Sequence, residues 1–208
     1  MRNVKLSLLI ALLLVFSGVA CTSSCRYGAK SEPGFEVNYE VKVPHEGGNV
    51  TPSEAYAMIQ KDPEHTFLVD VRTRAEYEFV GHPIGAYHIP FKLSGNELVE
   101  KKGKLAYAKP DSPNFAQDLL ARFNPAKDTL LFMCRSGTRS CLSSTEAIKA
   151  EWPVENIFNI LGGFEGDKIT DENNPYYGQR KSGGWRNENL PWTYKINKKF
   201  VYQPDLSE

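Results

Sequence analysis

An α/β fold built on a mainly parallel sheet, with helices covering both faces, is predicted by three features of this 208-residue sequence. Short continuous β-rich runs alternate with helix-forming stretches, the pattern expected of parallel strands buried on both sides. Two Thr-x-x-Glu capping boxes, at Thr51 to Glu54 and Thr73 to Glu76, set helix starts before and after the first of those runs. The most convincing strand, Thr129–Met133, passes through a tight loop straight into another helical stretch. With 41% hydrophobic and 24% charged residues, the chain suits one domain of about 150 residues plus extra segments.

The first twenty residues are of different material. Arg2 and Lys5 form a short cationic start, an apolar run follows from Leu6 to Phe16, and Gly18 and Ala20 precede Cys21. This is the layout of a secretory signal, and the run falls short of the ~20 apolar residues of a spanning helix. Residues 1–20 are expected to be removed and the protein exported. Two readings of the cut compete: ordinary cleavage after small residues, or a lipoprotein box with Cys21 as lipid acceptor, in which Gly18 replaces the usual leucine. Export places the protein in the periplasm or, if Cys21 carries lipid, tethers it to the outer side of a membrane. Cleavage leaves 23 basic and 25 acidic side chains, a near-neutral protein that offers no case for a nucleic-acid partner.

Residues 21–49, with Ser, Gly and Pro and weak periodicity, read as a tether and an irregular arm. The domain is expected at 50–195 and a tail at 196–208. Within the domain, a helix is predicted from Thr51 through Gln60, with Pro52 at its first position. A buried strand at 67–72, a helix from Thr73, a turn-rich bend at 81–86 and a short strand at 87–90 follow. Residues 91–113 are polar and poorly periodic and read as a long surface excursion. Beyond it come a helix over 115–123, the strand Thr129–Met133, a helix over 140–150 and a strand at 157–160 that ends on Gly162 and Gly163.

Chemistry is best sought where that strand gives way to a helix, because the first amides of a helix have no internal partners and point into the turn. Cys134 stands there, followed by Arg135, Ser136, Gly137, Thr138 and Arg139. Backbone donors, the positive helix end and the two guanidiniums would favour a thiolate. Gly137 lets the loop turn with positive φ, while Ser136 and Thr138 supply hydroxyl donors. A lone cysteine after an apolar strand is ordinarily a buried small hydrophobe. Two arginines and a glycine within five residues are a poor composition for a dry core, however, and suit an anion cradle.

These residues resemble the single-domain rhodaneses. CRSGTR matches their Cys-x-x-Gly-x-Arg active-site loop, LVDVRTRAEYEFVGHPIGAYHIP their strand and bend signature, and LGGF their later glycine pair. The resemblance runs over roughly residues 50 to 192 and implies a five-stranded parallel sheet flanked by helices on both faces. It implies a sulfurtransferase in which Cys134 takes sulfane sulfur from a donor such as thiosulfate, releases sulfite, and passes the sulfur from a persulfide to a thiol or cyanide-like acceptor. No cofactor or metal is implied. Arg135 and Arg139 are the candidates to neutralise the leaving anion, with Ser136, Gly137 and Thr138 completing the substrate cradle. Four residues separate Cys134 from Arg139, where phosphatases and arsenate reductases of the same fold have five, and the smaller cradle disfavours phosphate.

A different class of function stays open: a non-turnover carrier or anion-binding module that presents a Cys134 persulfide to a partner protein. Asp70 and Arg72, the family's Asp-x-Arg, read as a structural ion pair rather than catalytic groups. His82 and His88 read as structural histidines, and Cys141 as a buried residue with a lesser role as resolving partner for Cys134. The family's tryptophan after the glycine pair is displaced to Trp185 by an insertion over 166–184. The Asp167, Asp171, Glu172 and Asn173 cluster in that insertion matches no EF-hand spacing and reads as a solvated loop.

Overall fold

The computed structural model describes residues 28–29, 37–101 and 103–203, and in it the alternating pattern closes into one sheet. Residues 1–20, expected to be an export signal, and Cys21 and Cys25 lie outside the described residues. In chain order the elements are β1 (Gly28–Ala29), β2 (Val37–Asn38), β3 (Gly48–Val50), α1 (Pro52–Lys61), β4 (Thr66–Asp70), α2 (Arg74–Phe79), β5 (His82–Pro83), β6 (Tyr87–His88), β7 (Leu98–Lys101), β8 (Lys104–Tyr107), α3 (Phe115–Leu120), β9 (Thr129–Met133), α4 (Thr138–Lys149), β10 (Ile157–Ile160), β11 (Asp167–Lys168), β12 (Arg180–Ser182) and β13 (Trp192–Thr193).

Five of these strands form a sheet in the order β3-β10-β9-β4-β6, and every pairing in it is parallel. β9 and β4 are central, and their residues alternate between two apolar layers. Leu130 and Phe132 point with Val69 toward Phe115, Leu119, Phe123 and Ala147, on the side of α3 and α4. Leu131 and Met133 point with Leu68 toward Ala55, Phe164 and Trp185, on the side of α1. Burial on both faces is why these strands read as continuous hydrophobic runs.

Both capping boxes form. The Thr51 hydroxyl accepts from the Glu54 amide at 3.2 Å while the Glu54 carboxylate accepts from the Thr51 amide at 2.8 Å, and Thr73 and Glu76 repeat the arrangement at α2. α4 starts at Thr138, two residues before the predicted boundary, because Gly137 at φ 109° caps it directly after the loop. α3 ends at Leu120, short of the predicted 123. The excursion at 91–113 carries the β7–β8 hairpin, and the insertion at 166–184 carries the antiparallel pair β11–β12.

The described part of the arm is fastened to the domain. The Tyr39 hydroxyl accepts from the Gly184 amide at 2.9 Å and donates to Glu188. Its ring lies where a side chain at Gly162 or Gly183 would collide, with Cβ positions 2.5 and 2.6 Å from Tyr39 Cε1. Trp185, 2% exposed, stacks edge-on against Tyr56 and donates from Nε1 to the Pro191 carbonyl at 3.0 Å.

Candidate active site

Cys134 follows the last residue of central strand β9, so its sulfur sits where the sheet ends and α4 begins. The residue is 1% exposed, yet it forms the floor of a cleft of about 1120 Å³. The Gly137 amide donates to Sγ at 3.1 Å, and the Ser140 hydroxyl lies 3.4 Å from the same atom. The cleft walls include Arg135, Ser136, Thr138, Arg139 and Leu142 on one side and the β7–β8 hairpin on the other. An open approach, an aimed amide and a helix start are what a nucleophilic thiolate requires.

The glycine pair after β10 fixes the loop's shape. Phe164 donates its amide to the Cys134 carbonyl at 2.8 Å, and Glu165 to the Arg135 carbonyl at 3.0 Å. Gly163 permits this close approach: at φ 57°, an added Cβ would stand 2.4 Å from the Cys134 carbonyl oxygen and 2.8 Å from the Ser136 nitrogen. Gly163→Ala is therefore expected to push the loop off its position. A misplacement near 1 Å costs about a hundredfold in rate, so any reaction carried by the Cys134 sulfur should slow at least tenfold while Cys134 remains present. Steady-state rates alongside a thermal melt check this; a variant as active as wild type would contradict the bracing role.

Both arginines of the loop are engaged by carboxylates. Arg139 forms a bidentate pair with Glu76, at 2.7 and 2.6 Å, which ties the start of α4 to α2. Burial alone would raise the Glu76 carboxyl, but the Arg139 hydrogen bonds and charge, with Lys109 behind them, hold it down at about 2. Arg139 itself is raised: burial opposes its charge, and Glu76, Cys134 and Asp70 more than compensate. The half-exposed Arg135 pairs with Glu165, Nε to Oε1 at 3.0 Å. The cleft thus holds two guanidiniums with partners already, and Lys101 and Lys109 are further cations on its walls.

Asp70 and Arg72 lie away from the cleft lining, fully buried and paired at 2.6 Å. Arg72 also donates to the Gly81 carbonyl at 2.7 Å and lies over the Phe164 ring at 4.3 Å, bracing the glycine-pair segment. His82 and His88 stack on either side of Tyr77, with ring centroids at 3.7 and 4.5 Å, and face the carbonyls of Tyr77 and Arg72. Cys141 is fully buried within α4, and burial pushes its thiol up. Sequence reasoning missed Ser140. Its signal is spacing, since it lies three residues past the helix cap and so faces back over the loop.

Burial pushes His88 down to about 4, against the pull of Asp70. In the unfolded chain an imidazole binds its proton near pH 6.5, so the folded state binds fewer protons between the two values. Stability is then complete above about pH 6.5 and falls as pH drops toward 4, by at most about 3 kcal/mol. Urea midpoints from pH 7 to 4 should fall less steeply in His88→Gln than in wild type. Parallel slopes would contradict the buried neutral imidazole.

Residues 51–169 match the family described as rhodanese-like domain. Uncharacterized protein RP600 of Rickettsia prowazekii is 32% identical over 147 residues, which covers 70% of this chain and 97% of that protein. Its counterpart RC0915 of Rickettsia conorii is 31% identical over the same span. The crystal structure of Rv0390 from M. tuberculosis aligns with a TM-score of 0.54 at 29% identity, covering 72% of this chain and 99% of that one.

Proposed function

This chain belongs to the rhodanese-like domain family, and we propose that it is an exported sulfurtransferase working through a Cys134 persulfide. Family membership supports sulfur-related chemistry of the sulfurtransferase type in general; the particular reaction is our reading. One observation carries it: the Cys134 sulfur at the cleft floor, with the Gly137 amide aimed at it from 3.1 Å at the start of α4. The Cys134 thiolate attacks the outer sulfur of thiosulfate in line with the S–S bond. That bond breaks with its electron pair leaving on sulfite, and a cysteine persulfide anion is left, so three negative charges stand on each side. The added sulfur extends toward the cleft, where the loop amide and cleft cations can offset its charge.

An acceptor nucleophile then attacks the outer persulfide sulfur and returns the Cys134 thiolate. With thiosulfate and cyanide as donor and acceptor, the purified mature protein is expected to form thiocyanate continuously. If no thiocyanate forms although Cys134 is loaded with sulfur, small-molecule turnover is overturned in favour of a carrier role. A specific observation favours a protein thiol as physiological acceptor. The β7–β8 hairpin at the cleft edge exposes Leu98, Leu105 and Tyr107, the second to 76%, beside a cleft far larger than thiosulfate needs. Export, with or without a lipid on Cys21, and the small-anion donor belong to this proposal.

A further inference from the structure

Asn159 is an amide in the middle of a core strand, between the buried positions Ile157 and Ile160, and is itself fully buried. Such a group is costly unless its hydrogen bonds are met. It meets them in a line of side chains that begins at the nucleophile. Ser140 Oγ lies 3.4 Å from Cys134 Sγ and 2.6 Å from Asn159 Oδ1. Asn159 Nδ2 donates to Asn49 Oδ1 at 2.9 Å, which the parallel register of β10 with β3 places directly opposite. Asn49 Oδ1 also faces His45 Nε2 at 2.9 Å, and His45 Nδ1 faces the Glu46 carbonyl at 2.7 Å. The line thus runs from the sulfur to a half-buried imidazole on the arm.

A hydroxyl has one proton, and Ser140 has three acceptors within reach: Asn159 Oδ1, the Gly137 carbonyl at 3.0 Å, and the sulfur. Which one receives it depends on the polarity of the line, and the line has two self-consistent polarities. In one, Asn49 presents its oxygen to both neighbours, so both His45 nitrogens carry protons, and Ser140 donates to Asn159. In the other, both amides are turned over. Asn49 then donates to a neutral His45 and to the Asn159 oxygen, Asn159 donates to Ser140, and the Ser140 proton is free for the sulfur. A thiolate is the stronger acceptor compared with the Gly137 carbonyl, which favours that choice.

We propose that Ser140 is a second hydrogen-bond donor to the Cys134 thiolate, and that His45, acting through Asn49 and Asn159, is a positioning residue whose protonation turns that donor away. The proposal rests on reading Cys134 as the nucleophile and deepens it. His45 makes no ion pair among the described residues. Of the charged groups on the segments around it, Lys42 on its own arm pairs with Asp167, and Glu146 pairs with Lys149 on α4. Glu40 and Glu46 are the other charges on the described part of the arm. The arm packs on α4 through the Glu46 amide and Thr145, and β3 and β10 carry no charged residue.

The test is the pH profile of iodoacetamide alkylation at Cys134, read by peptide mass so that the other cysteines do not interfere. Alkylation needs no sulfur donor, so this inference can fail while persulfide formation succeeds, and the reverse. Ser140→Ala should slow alkylation about tenfold where His45 is neutral, the worth of one hydrogen bond to a charged group, and change it little at acid pH, where the donor is already turned away; Ser140→Thr should restore most of the loss. Wild type should show two ionisation steps and His45→Phe one, with the thermal melt of the protein unchanged. A Ser140→Ala profile that superimposes on wild type, or two steps persisting in His45→Phe, overturns the proposal.

Discussion

Cys134→Ser is expected to lower thiocyanate formation by about a thousandfold or more, to the background of the uncatalysed reaction, the scale on which losing a covalent nucleophile acts. The hydroxyl that replaces the thiol is a weak nucleophile at neutral pH and cannot form a disulfide-type bond to the incoming sulfur. Geometry offers no substitute: Cys141, the other described cysteine, is buried inside α4 with burial pushing its thiol up. The fold should survive, because serine is close in volume and can still accept the Gly137 amide. The check is activity beside a thermal melt. Residual turnover above a few per cent with an intact fold would mean that sulfur moves through another group.

The second large effect falls on stability. Arg72→Ala leaves the Asp70 carboxylate fully buried without its bidentate partner, and removes the donor to Gly81 and the cation over Phe164. Removing one member of a buried pair costs about 3 to 5 kcal/mol because the other charge stays in a low dielectric. Since Phe164 donates to the Cys134 carbonyl, the active loop should loosen as well. Denaturant unfolding measures the loss. A cost under about 1 kcal/mol, the level of an exposed pair, would show that Asp70 and Arg72 do not brace the molecule. The double variant Asp70→Asn with Arg72→Leu should recover part of the loss, since no charge is then stranded.

Much of this architecture was legible because it is written locally. Capping boxes lie within four residues, strands buried on both faces leave unbroken apolar runs, and the Cys134 loop is contiguous from strand to helix. The fate of the charges was not legible in that way. Arg135 and Arg139 looked available for an anion, yet Glu165 and Glu76, thirty and sixty-three residues away, already hold them. The line from Ser140 to His45 depends on the pairing of Asn159 with Asn49, 110 residues apart, and only the sheet order brings them together. β7 and β8 read as an irregular excursion because every residue of the hairpin described is exposed, and without a buried face no period of two is imprinted.

Whether Cys134 carries sulfur can be read directly from the intact mass of the purified mature protein before and after thiosulfate. A sulfur-carrying Cys134 gains one sulfur, about 32 Da, that cyanide removes and Cys134→Ser never acquires. A wild-type protein that gains no mass from thiosulfate or polysulfide would contradict it, and would leave the cleft as a binding site without sulfur chemistry.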